Sequence, residues 1–208
     1  MSKKLIDDFF EKNRVCDPDM PSAAAIAHLK IHMMKDAEKS EKFAELSKKM
    51  VFSDQHKRKE DVITEEAEIQ AVTSFNEVIK FMRRGIDNLN DAVLVNKALS
   101  FEKELVPDVV KRLKTSLNTG FIELATRILS LCNVPVADDL VAYFDDVRSP
   151  YAQSMILVIL GFQAGERHIP WIIEKYHQLR KYYPKKTYSD GAVYALTEIA
   201  NRLYSELA

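Results

Sequence analysis

Glycine and proline are scarce in this chain, five and seven among 208 residues. Folds made of many short strands need both residues at frequent turns. Their scarcity, beside plentiful Leu, Ala, Glu and Lys, predicts an all-α protein. Cysteine is nearly absent. Cys16 and Cys132 stand far apart with neither ligand nor disulfide spacing, which argues against a disulfide framework and suits a reducing, cytoplasmic location. Neither sign of charge dominates: 30 basic against 31 acidic residues give a formal net charge of −1. That argues against the molecule-wide basic field of most nucleic-acid binders and leaves room only for a local patch. Long apolar runs are missing too. The longest, 155–162, falls short of the roughly 20 residues a membrane-spanning helix needs. The N-terminal MSKKLIDDFFEKN carries charges within its apolar part and does not read as a signal peptide. No membrane partner is expected.

Chemical motifs are also missing. There is no G-x-S-x-G and no G-x-x-x-x-G-K-[ST], and Gly161 to Gly165 (GFQAG) reads as a turn between helices. His28 and His32 stand four apart on one expected helix, but neither a Glu-x-x-His nor a Cys pair accompanies them. His56, His168 and His177 are scattered. Acid pairs at Asp7-Asp8, Glu65-Glu66, Asp138-Asp139 and Asp145-Asp146 fit caps and turns better than acid–base work. Cys132 ends an apolar helix and reads as core filler. No catalytic residue, no metal and no cofactor is expected.

What remains is helical periodicity. Residues 2–13 suggest a short helix with Leu5, Ile6, Phe9 and Phe10 on one side, broken by NRVCDPDMP. A second helix starts near Ser22, with Ile26, Leu29, Met33 and Ala37 as its stripe, continued by Phe43, Leu46 and Met50 across the polar KDAEKSEK. Residues 53–61, SDQHKRKED, are the linker expected between an N-terminal helical segment, 1–60, and a helical-repeat region, 62–208. Thr64 with Glu65 and Glu66 predicts a helix start, running to about Arg84 with Gly85 as its stop. Short helices then follow, over 91–101, from Pro107, over 121–131, and from Pro135, Pro150, Pro170 and Asp190-Gly191. Three alternate helices share an opening of branched aliphatic plus proline: Val106-Pro107, Val134-Pro135 and Ile169-Pro170. Spacings of 28 and 35 residues, read off these numbers, bracket a helix-pair repeat.

Segment 134–182 sets Leu140 and Phe144 on one helix, Asp145-Asp146 at the turn, Ala152 and the run 156–161 on the next helix, and Pro170 opening its partner. In this it resembles the HEAT-like α-solenoid family, over roughly residues 90–207. The family places an arginine early in a repeat helix to meet the turn aspartates, whereas Arg148 here precedes Ser149-Pro150. The resemblance implies stacked antiparallel helix pairs and a binding role.

One stretch combines basic and aromatic residues, Lys175 to Tyr188. Its candidate binding residues are Lys175, Arg180, Lys181, Tyr182, Lys185, Lys186 and Tyr188, since cations hold anionic groups while rings stack or pack. Tyr176 and Tyr183, seven apart, fit the core, and Trp171 in the first turn after Pro170 fits packing. The sequence therefore predicts a non-catalytic scaffold or adaptor that binds a protein or peptide. The alternative is a nucleic-acid-binding helical-repeat protein resembling the HEAT-like glycosylases that act on alkylated bases. Residues 1–60 are a candidate arm for self-association.

Overall fold

The computed structural model describes residues 2–13, 21–36 and 56–204. Cys16, Phe43, Leu46, Met50, residues 53–55 and Leu207 lie outside them. Among the described residues every regular element is helical. The α-helices are α1 (Ser2–Lys12), α2 (Ala23–Lys35), α3 (His56–Gln70), α4 (Phe75–Arg84), α5 (Asp91–Leu99), α6 (Glu102–Leu113), α7 (Thr119–Leu131), α8 (Ala137–Tyr143), α9 (Pro150–Gln163), α10 (Ile169–Tyr182) and α11 (Asp190–Tyr204). Single 3-10 turns precede α5, follow α8 and precede α10.

Alternate helices touch in chain order: α5 packs on α7, α7 on α9, and α9 on α11. α4 and α6 lie beside them, α8 packs on α9, and α10 on α11. α9 is covered on several sides at once, by α7, α8, α11 and α2, and 155–160 are all fully enclosed. That surround is why α9 is apolar nearly all round. Small residues set its distance from α11. A Cβ on Gly191 would lie 2.0 Å from the Ser154 carbonyl oxygen, and one on Gly161 would lie 2.9 Å from Ala195 Cα.

Local chemistry sets several boundaries. The Ser22 hydroxyl accepts from the Ala25 N–H and starts α2. Ser149 does the same for Ala152, with Pro150 at the first helical position, where no N–H is needed. Gly85 ends α4 at φ +80°, a left-handed conformation that suits glycine.

Four expectations need correction. The helix expected over 64–84 is two helices. Glu77 accepts from the Ser74 N–H while Ser74 caps the same turn, so the local capping box restarts the chain as α4. Residues 56–61, read as linker, are the first turns of α3. Pro107 lies inside α6, on its exposed side; the helix opens at Glu102, whose acidic first turn suits its N-terminus. α2 also turns its other side inward. Ala24, Ala27 and Ile31 are buried, while Ile26 and Leu29 are 45% and 61% exposed. The alanines allow close approach to α7, α9 and α11, which a row of larger side chains would prevent.

Both turn aspartates pair with lysines, not with Arg148. Lys114, after α6, donates to Asp146 at 2.8 Å, and Lys175 of α10 donates to Asp145 at 2.8 and 2.9 Å. No helix among the described residues is long and apolar enough to cross a membrane.

Candidate functional site

The basic–aromatic stretch at the end of α10 divides in two. Lys175 is buried, 4% exposed, with its ammonium held by Asp145 and Gln178. Arg180 donates to the buried Tyr176 hydroxyl at 2.6 Å. Lys175 is thus part of the packed interior, while Arg180 stays on the surface. Lys181, Tyr182, Lys185 and Lys186 point outward, and Tyr188 is half-buried with its ring edge-on to Tyr183, 5.5 Å between centroids. Trp171 packs edge-on against Phe144 at 5.0 Å.

A second basic surface lies outside this stretch. α4 carries Lys80, Arg83 and Arg84 on its outward side, and α6 carries Arg112 in its last turn. With Thr115, Ser116, Asn118 and Phe121 these line an open depression of about 620 Å³. Asn118 accepts from the Phe121 N–H and so caps α7, and its amide donates to the Arg83 carbonyl at 3.1 Å, tying the end of α4 to the start of α7. Leu117, between two lining residues, is 72% exposed.

The four cations are not equally committed. Arg84 donates to Glu68 at 2.9 Å and lies over the Phe81 ring at 4.1 Å. Arg112 pairs with Asp108 one turn back. Among the described residues Lys80 and Arg83 have no ion-pair partner. Cations converging on an open depression attract carboxylate or phosphate groups, and arginine adds a planar fork for two-point contact. Only three-dimensional packing brings Arg112 beside residues about thirty positions earlier, which is why periodicity alone misses the site.

The sequence-isolated histidines also find partners. His28 and His32 both face Glu198 of α11, and His168 meets Asp138. No protein-family model, curated protein or solved structure matches the chain.

Proposed function

We propose that this chain is a non-catalytic, cytoplasmic helical-repeat module that uses the pocket between α4, α6 and α7 to bind an acidic segment of a partner protein. The observation that carries the reading is the gathering of Lys80, Arg83, Arg84 and Arg112 around one open depression in a chain whose net charge is −1. A local concentration of one sign on a balanced molecule is a recognition surface rather than a bulk property. The exposed Leu117 beside it adds apolar contact area of the kind peptide grooves use. The ordered contacts of α5, α7, α9 and α11 support a HEAT-like stack of helix pairs, with α4 and α6 as the alternate row that presents the pocket.

Fluorescence anisotropy with a panel of Asp/Glu-rich peptides, with and without a leucine in the acidic run, tests this. Binding that is lost in Arg83→Glu and Lys80→Glu supports it. The same titration with single- and double-stranded oligonucleotides covers the nucleic-acid reading. Salt-dependent oligonucleotide binding in the absence of peptide binding overturns the peptide assignment.

A further inference from the structure

We propose that His28, His32 and Glu198 form a binding site for a divalent transition metal, Zn²⁺ fitting best, which fastens α2 to α11. The site uses different helices from the basic pocket and stands independently of it.

Spacing and packing assemble it in turn. Positions i and i+4 share one face of a helix, so α2 presents both imidazoles together, their ring centroids 4.6 Å apart. α11 brings one carboxylate to meet them. Both Nε2 atoms converge on the same oxygen, Glu198 Oε2, at 3.3 Å from His28 and 2.7 Å from His32. No two of the three donor atoms are more than 4.8 Å apart. Zinc bonds of about 2.0–2.2 Å in tetrahedral array place donors roughly 3.3 Å from one another. The three side chains therefore reach ligating geometry by small rotations alone.

The surroundings also fit a metal. Glu198 is enclosed, its side chain 4% exposed, and its position is fixed because α9 meets α11 at Gly161, where a Cβ would lie 3.3 Å from Glu198 Cβ. Lys35 approaches the other carboxylate oxygen, Oε1, at 3.7 Å and leaves Oε2 to the imidazoles. The Phe162 ring borders both imidazoles, at 5.5 and 5.4 Å, and Tyr194 lies 5.2 Å from His28. His32 alone opens widely to solvent, its side chain 43% exposed, so an entering ion has a path and a fourth position is left for water. Two neutral nitrogens and one carboxylate select zinc and its transition-metal neighbours; magnesium and calcium prefer all-oxygen sets.

Cobalt and zinc binding to the full-length protein tests the site. Co²⁺ is expected at one ion per chain, with visible bands of a nitrogen–oxygen ligand set and no thiolate charge-transfer band. Zn²⁺ is expected to raise the melting temperature, and Mg²⁺ to leave it unchanged. His28→Gln and His32→Gln should each weaken Zn²⁺ by more than the roughly 10–100-fold that loss of an outer-shell partner costs. Because the His32 side chain is already 43% exposed, His32→Gln is the variant that keeps the native fold, verified by circular dichroism, should Glu198→Gln not fold. A thiolate band, a stoichiometry well below one, or parent affinity retained in either histidine variant overturns the proposal and leaves a hydrogen-bonded cluster without metal.

Discussion

Arg127, in the middle of α7, and Asp91, the first residue of α5, pair at 2.9 Å with both side chains enclosed, 3% and 9% exposed. Lys30 of α2 adds a second cation at 3.3 Å from the same carboxylate oxygen. Burial pushes the Asp91 carboxyl above its ordinary value, and Arg127 and Lys30 pull it back only in part. Three helices distant in sequence thus meet at one buried charge.

Removing one partner should be worse than removing both. Arg127→Met leaves Asp91 enclosed with Lys30 alone and is expected to cost about 3–5 kcal/mol. Asp91→Asn with Arg127→Met should recover most of that, because no uncompensated buried charge remains. Urea unfolding of the two variants decides it. A double variant as unstable as the single one sinks the argument.

Gly191→Ala should destabilise by about 1–3 kcal/mol or more, since its new methyl meets a backbone carbonyl that has no room to yield. Gly165→Ala faces open space and should stay within about 0.5 kcal/mol of the parent. Calorimetry on the pair isolates the cost of the α9–α11 approach; equal melting temperatures would show that α11 shifts freely.

Cys132 should resist alkylation while the protein is folded. Burial pushes its thiol up to about 11, and the S–H is enclosed within reach of the Leu129 and Val134 carbonyls. Only the thiolate reacts, so at neutral pH little of the reactive form exists. Peptide mass spectrometry after iodoacetamide should find Cys132 labelled in denaturant and spared in buffer. Rapid labelling in buffer contradicts the packing.

Asp138 titrates below its ordinary value, chiefly because His168 hydrogen-bonds it at 3.1 Å, with Arg167 helping. The Gly165 N–H donates to His168 Nδ1, so the proton of the neutral ring sits on Nε2, aimed at the carboxylate. A folded pKa below the unfolded one adds stability above the unfolded value, about 3.9, and that stability disappears as pH falls through the lower folded value. Carboxyl carbon NMR should show Asp138 moving up in His168→Gln. An unchanged titration would assign the shift elsewhere.

Much of the helical layout is legible in the residues. Scarce glycine and proline give the class, Ser22 and Pro150 mark starts, Gly85 marks a stop, and the continuous apolar run at 155–160 announces a helix covered on several sides. The α3–α4 break was written as Ser74-x-x-Glu77 but lies within an apolar stripe that continues through it. The inward side of α2 is ambiguous because alanines line one side and larger aliphatics the other, so amphipathicity gives no direction. The sites are harder still. Glu198 lies 170 residues beyond His28, and Arg112 is far from Lys80 in sequence, so no local spacing reports either gathering.

The way α2 lies across α7, α9 and α11, with Lys30 reaching to α5, bears on how the chain comes apart. A row of helices touching only in order is free to unravel from one end, each member leaving by itself. Here one early helix is fastened to four members of the row at once. Loosening any of them strips partners from α2, and loosening α2 exposes all of them. The described region is therefore expected to melt as a single cooperative unit, its last helix locked to one of its first.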